Sequence, residues 1–268
     1  MIIDCIADLH SHYPQLDGGD LLIVAGDLTK TDTLIEQHYF MGWLYEQNYK
    51  KKIFIAGNHD NILECVEPKR FNDSKVIKDL YDPKTEIEYL CDSGTEFDGL
   101  KIWGSPWTKK FEGMNPKCMA FTVDTDEELS EKWKLIPNDI DILVTHSPPC
   151  GILDTVDDQN HWEGYHVGSS SLSFRVLNVI KPKLHVFGHI HECGGETHEC
   201  PGETFEFGPP IFINASHVNE YYEPVNKPIR VELSWNIPRF IVSGSVKDGI
   251  SIKRRRSHLI TKRVVNRS

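Results

Sequence analysis

The chain has 268 residues, room for one large domain or two small ones and for a core that needs neither disulfides nor a structural metal. Its hydrophobic fraction of 39% and charged fraction of 26% exclude wholesale disorder. The formal net charge of -11 argues against wrapping of nucleic acid by the body of the chain.

That charge is unevenly spread. Residues 253–268 hold seven Lys/Arg and no acidic residue, so the rest of the chain sets 22 basic against 40 acidic side chains, a net of -18. The tail reads as a nuclear-localisation or nucleic-acid-contacting patch, as a solvated end, or as a segment folding back on the acidic body. Seven cysteines, at 5, 65, 91, 118, 150, 193 and 200, form no CxxC pair, the usage of a reducing compartment. The first ten residues contain two Asp and no basic residue, unlike a signal peptide, and no apolar stretch is long enough to cross a bilayer. The expected location is cytoplasmic, with the nucleus open through the tail, and no membrane partner is expected.

Short apolar runs recur along the chain at 1–7, 21–25, 53–56, 100–103, 140–144, 184–187 and 211–213. They are of strand length and apolar on both faces, as buried central strands are. Residues 31–48, 126–135 and 169–180 carry helical spacing or helix-start signals: threonines, acidic residues and serines at their N-terminal ends. Strands alternating with helices predict a layered α/β fold, in which function collects just past the C-terminal ends of strands. Residues 240–245 and 249–252 have the pattern of one more hairpin.

The ends of those strands carry metal-ligand chemistry. Asp8 and His10 come after the first, Gly26 and Asp27 after the second, and Gly57, Asn58, His59 and Asp60 after the third. His146 comes after the run at 140–144, and Gly188, His189 and His191 after the run at 184–187. Singly, each of these residues has a bland reading as a cap, a turn former or a packed histidine. Five successive strand ends delivering carboxylate, amide oxygen or imidazole predict convergence on one site. Mixed nitrogen and oxygen ligation without cysteine suits manganese, iron or zinc.

The order D-x-H, G-D, G-N-H-D, T-H and G-H-x-H resembles the calcineurin-like metallophosphoesterase superfamily. The stretches at 104–108, 143–149, 182–192 and 213–216 resemble its metallophosphoesterase-domain-containing (MPPED) branch, the class III cyclic-nucleotide phosphodiesterases. The resemblance covers residues 1–233, read as one metallophosphoesterase domain, and leaves 234–268 as an extension with a basic tail. It implies an α/β calcineurin-like fold, a two-sheet β-sandwich flanked by helices with the metal site at one edge. It also implies two divalent transition-metal ions, with manganese favoured over iron or zinc. Asp8, His10, Asp27 and His191 would hold one ion; Asp27, Asn58, His146 and His189 would hold the other, with Asp27 shared.

The implied activity is hydrolysis of phosphodiesters, cyclic nucleotides or other small diesters, by in-line attack of a metal-activated water. His59 would face the substrate, alongside Asn58, and stabilise phosphoryl charge or protonate the leaving oxygen. Asp60 would hold His59 in one tautomer. His166 would contact substrate and Asn214 would support the site. For Trp107 and Trp162, packing in the core or on the surface is the first reading and stacking on a base the second. His198, His217, Cys193 and Cys200 read as structural. A phosphomonoesterase or nuclease on the same centre is the alternative enzyme, and a low-turnover metal- or nucleotide-binding scaffold the alternative class. The presence of every implied ligand together with His59 favours catalysis.

Overall fold

A computed structural model describes residues 1–72, 86–111, 113–158, 161–200, 210–234 and 239–243. The strands are β1 (Ile2–Ile6), β2 (Gly19–Ala25), β3 (Tyr49–Ile55), β4 (Glu86–Tyr89), β5 (Ser93–Phe97), β6 (Leu100–Ser105), β7 (Thr108–Lys109), β8 (Thr122–Val123), β9 (Ile142–Thr145), β10 (Thr155–Asp158), β11 (His161–His166), β12 (Leu184–Phe187), β13 (Glu196–Glu199), β14 (Ile211–Asn214), β15 (Ile229–Ser234) and β16 (Arg239–Val242). The helices are α1 (Leu34–Glu46), α2 (Asn61–Glu64), α3 (Pro68–Asn72), α4 (Asp126–Trp133) and α5 (Ser170–Phe174), the last running into a π-helical turn, Arg175–Ile180.

Two six-stranded sheets form, in the orders β16-β15-β1-β2-β3-β4 and β13-β14-β12-β9-β6-β5. In the first, β1 to β4 run parallel. In the second, β14, β12, β9 and β6 do. Antiparallel strands flank each parallel block.

Alternation along the strands explains the layering. Leu21 and Ile23 of β2, Ile53 and Ile55 of β3, Ile142 and Val144 of β9, and Leu184 and Val186 of β12 meet between the sheets. Their neighbours face outward. Leu22, Val24 and Phe54 pack under Phe40, Trp43 and Leu44 of α1. Leu143, Phe187 and Phe212 pack under Leu129 and Trp133 of α4 and Leu172 of α5. Both sheets are therefore covered on two faces, which is why these strands read as continuous apolar runs.

The helices begin where their capping signals lie. Thr33 and Thr125 cap α1 and α4, and each in turn donates its backbone N–H to the carboxylate of a glutamate three residues on, Glu36 and Glu128. Ser169 caps α5. The helix expected over 31–48 starts later for this reason and ends at Glu46, where Gln47 turns extended; the one expected over 126–135 stops at Trp133. No helix of the described residues is long and apolar enough to cross a membrane. All seven cysteines are free thiols.

The first sheet continues past residue 233. β16 pairs antiparallel with β15, setting Phe240 opposite Leu233, and Phe240 is buried in the central core. The strand expected from 240 is thus the partner of β15 at the sheet edge. The segment 249–252 and the basic tail lie outside the described residues.

The sheets close against each other at the C-terminal ends of their parallel strands. Ala7 N–H donates to Ala215 O and His217 N–H to Ala7 O, both at 2.8 Å. The first sheet is fastened across its width by Asp4 of β1. This buried carboxylate accepts two bonds from the Arg230 guanidinium of β15, at 2.7 and 2.8 Å, and one from the Tyr49 hydroxyl of β3. Arg230→Ala leaves Asp4 buried without its cation and should cost about 2–4 kcal/mol. Urea denaturation measures this; a loss below about 0.5 kcal/mol, the scale of an exposed pair, would show that the pair does not fasten the sheet.

Candidate metal centre

Five strand-end loops meet where the sheets close, and their backbone is unusual. Asp8, His10, Asp27 and His189 all adopt positive φ, at 50°, 41°, 51° and 72°. L-residues avoid this region at a cost, and such outliers concentrate at functional sites. Two glycines make room for the carboxylates. A Cβ on Gly57 would lie 2.2 Å from Asp27 Oδ1, and one on Gly188 would lie 2.2 Å from Asp8 Oδ2.

Asp8, His10, Asp27 and His191 each turn a donor atom into one space, all within 4.8 Å of one another. His10 Nε2 is 3.3 Å from His191 Nε2 and 3.7 Å from Asp27 Oδ2. His191 Nε2 is 3.6 Å from Asp8 Oδ1. Two imidazole nitrogens and two carboxylates converging on one point form a donor set that fits a divalent cation.

A second group gathers on the other oxygen of Asp27. His146 Nε2 lies 3.3 Å from Asp27 Oδ1 and 3.0 Å from Asn58 Oδ1. The His189 ring stands edge-on to the His146 ring, centroids 4.9 Å apart. Outer contacts aim these donors. His146 Nδ1 is held by Ala25 O at 3.1 Å, which leaves Nε2 for the site. Asn58 Nδ2 donates to Cys118 O at 3.2 Å, which turns Oδ1 inward. Asp8 is fixed by the His189 N–H at 2.9 Å and the Ser216 hydroxyl at 2.5 Å.

The electrostatics favour a cation. Burial and neighbouring imidazoles hold His10 down at about 4 and His189 at about 3, so both are neutral, the form that ligates. Burial works against charge on His146, but the Asp27 and Asp8 carboxylates outweigh it and raise this histidine to about 9. Burial likewise opposes ionisation of Asp8, yet His191 and His146 hold it at about 2.

His59 stands at the rim of this group. Its ring is 4.6 Å from the His10 ring, and its Nε2 is 3.9 Å from Asp27 Oδ2. Its backbone N–H donates to Asp27 Oδ1 at 2.9 Å. Asp60 does not hold the His59 ring, contrary to the sequence expectation. The His59 Nδ1 faces Lys30 O and Cys118 Sγ, both at 3.4 Å. The Asp60 carboxylate instead accepts the N–H groups of Gly57 at 2.8 Å, Leu28 at 3.2 Å and Thr29 at 3.3 Å. It staples the Asp27 turn to the Asn58 turn by accepting strand-end N–H groups that have no ladder partner. Burial and the Asp27 charge raise its pKa to about 8 against the pull of those N–H groups.

A cleft of about 690 Å³ opens over these residues. Phe111, Met114, Val167 and Tyr222 give it apolar walls, and His166 lines it as well. The Tyr222 ring packs edge-on against the rings of His10 at 4.8 Å and His191 at 5.1 Å, on a backbone with φ of 62°. Sequence reasoning passes over Tyr222, which lies six residues beyond Ser216 without a motif of its own. Asn214 supports the site by donating to Leu153 O and Ile190 O, at 3.1 and 2.8 Å.

Trp107 packs against the core, the first of its two sequence readings. Its Nε1–H donates to Asp92 at 2.7 Å, and Lys132 Nζ covers its ring at 3.5 Å. The Trp162 side chain lies outside the described residues. His198 sits on exposed β13, and His217 Nδ1 is bonded to Asn226 O at 2.6 Å.

The family model described as calcineurin-like phosphoesterase matches residues 2–193. Metallophosphoesterase domain-containing protein 1 of Homo sapiens is 36% identical over 248 residues, covering 85% of this chain and 70% of that protein. A UPF0046 protein of Caenorhabditis elegans is 33% identical over 239 residues, covering 82% and 78%. A solved structure superposes with a TM-score of 0.55 at 14% identity, covering 90% of this chain and 97% of its own, a likeness of fold. With its motifs on the loops of a two-sheet α/β sandwich and with these relatives, the chain belongs to the calcineurin-like phosphoesterase family.

Proposed function

We propose that this protein hydrolyses phosphodiesters, cyclic nucleotides or other small diesters, with two divalent transition-metal ions, manganese first among them. The observation that carries the reading is the sharing of Asp27. One of its oxygens faces His10, the other faces His146, and a second donor stands behind each.

Asp8, His10, Asp27 and His191 would hold one ion, and Asp27, Asn58, His146 and His189 the other. When bound, such a pair supplies positive charge for the phosphoryl oxygens and lowers the pKa of water so that a nucleophile exists near neutral pH. His59, beside Asp27 on the cleft side, meets the phosphoryl oxygens and offsets their growing charge. Asn58 keeps its oxygen toward the site and, with His59, borders the substrate.

The preference for diesters draws on two features. The cleft walls of Phe111, Met114, Val167 and Tyr222 suit carbon substituents, of which a diester has two. The body of net charge -18 repels a monoester dianion more than a diester monoanion. The resemblance of the 104–108, 143–149 and 182–192 stretches to a diester-cleaving branch points the same way.

Metal-reconstituted protein should therefore show a higher kcat/KM on bis-p-nitrophenyl phosphate than on p-nitrophenyl phosphate, and on cyclic nucleotides than on their ring-opened products. Preference for the monoester in both pairs would make the protein a phosphatase. Asp27→Asn should lose both ions, since each group depends on it. His59→Ala should keep its metal content while kcat falls by roughly 10²–10⁴-fold, the range of a lost charge-stabilising or acid–base group. Release of metal by His59→Ala would show that His59 is a ligand.

A further inference from the structure

We propose that His166 is the proton donor to the leaving oxygen and that Asp154 is its positioning residue. The assignment rests on the phosphodiesterase reading above.

His166 lines the cleft that Asp27, Asn58, His189 and His191 also line, and its side chain is 54% exposed there. Its Nδ1 lies 2.6 Å from Asp154 Oδ1. Asp154 itself is fully buried. The second oxygen of its carboxylate accepts the N–H groups of Gly151 at 3.1 Å and Gly168 at 2.9 Å. A carboxylate pinned by two backbone donors cannot swing away, so Nδ1 keeps its hydrogen, donating it to Asp154, and Nε2 is left as the working nitrogen. A buried carboxylate behind an imidazole fixes the tautomer and stabilises the imidazolium, the arrangement that general acid–base histidines use on unrelated folds.

The dyad shares a frame with the metal ligands. Asn214 Nδ2 donates both to Leu153 O, next to Asp154, and to Ile190 O, between His189 and His191. The β10 strand after Asp154 packs on the turn after His191, with the Cys193 thiol 3.4 Å from Thr155 O. His166 returns to this frame on β11, paired with Thr155 of β10.

His59 is the competing acid, and its surroundings differ. Its Nδ1 has a carbonyl and a thiol at 3.4 Å and, among the described residues, no carboxylate bonded to it, while its Nε2 looks toward Asp27. That placement suits charge stabilisation at the phosphoryl oxygens. His166 is the cleft histidine whose far nitrogen is held by a carboxylate outside the metal-binding set.

In the hydrolytic step the oxygen of water adds to phosphorus and its released proton goes to solvent. The bond from phosphorus to the departing alcohol oxygen breaks, and its electron pair stays on that oxygen. His166 Nε2 gives its proton to the same oxygen. The Nδ1–H stays bonded to Asp154 Oδ1 throughout, and solvent reprotonates Nε2.

The acidity of the leaving alcohol provides the test. Methyl phenyl phosphate and methyl p-nitrophenyl phosphate share one arm, and p-nitrophenol is much the stronger acid, so its departure needs less proton transfer. Metal-loaded His166→Gln, which alters an exposed side chain, should lose roughly 10²-fold in kcat on the phenyl ester and a clearly smaller factor on the nitrophenyl ester. KM should move less than kcat in both. Asp154→Asn should show the same selective loss with a smaller factor, and metal content should match the wild type in each variant.

Equal losses of His166→Gln on the two esters overturn the assignment. So does the selective loss appearing in His59→Ala and not in His166→Gln. If the wild type prefers monoesters, the phosphodiesterase reading falls separately, and phenyl against p-nitrophenyl phosphate puts the same question to His166. If Asp154→Asn fails to fold, His166→Gln decides alone.

Discussion

A single carboxylate lies at the meeting point of everything in this site. Asp27 reaches the middle of the donor set only because its own backbone takes φ of 51°, because Gly26 before it takes 96°, and because Gly57 opposite has no side chain. Asp8, His10 and His189 share the left-handed geometry. Each such residue costs on the order of 1–3 kcal/mol. The cost is offset by the three-layered apolar packing beneath, in which both sheets are covered on two faces. The rigid sandwich is thus what holds five loops in positions that none would adopt alone.

Charge supplies the second constraint. The buried carboxylates of Asp27 and Asp8 draw a proton onto His146 against the opposition of burial. A bound divalent cation competes with that proton, so metal uptake and proton release are linked. The outer contacts keep the site from collapsing around its own charge. Ala25 O, Cys118 O, Ser216 and Asp60 each hold a ligand, or the turn that carries it, from behind.

The strands and the ligand set are legible in the sequence because both rest on local signals. Leu21 to Ala25 and Ile142 to Val144 read as buried strands, since both of their faces are covered. The ligands read as a set because each comes directly after a strand end. Side-chain direction is not legible in the same way. Asp60 is next to His59 in sequence, yet its carboxylate points to Gly57, Leu28 and Thr29, since free N–H groups at the strand ends draw it there. Trp107 reads as a packing residue, but its partners are not legible, because Asp92 at its edge and Lys132 over its ring are distant in sequence. Tyr222 and Asp154 give no signal, because their importance comes from loops that meet only when the two sheets close. The π-helical turn at Arg175–Ile180 also has no sequence mark beyond a helical pattern.

The central claim is that Asp27 divides one pocket into two cation sites. Anomalous X-ray diffraction from crystals of the protein grown with Mn²⁺ tests it most directly. The account predicts two peaks, one enclosed by Asp8, His10, Asp27 and His191 and the other by Asp27, Asn58, His146 and His189. A single peak under saturating metal, or a second peak without Asp27 beside it, would contradict it.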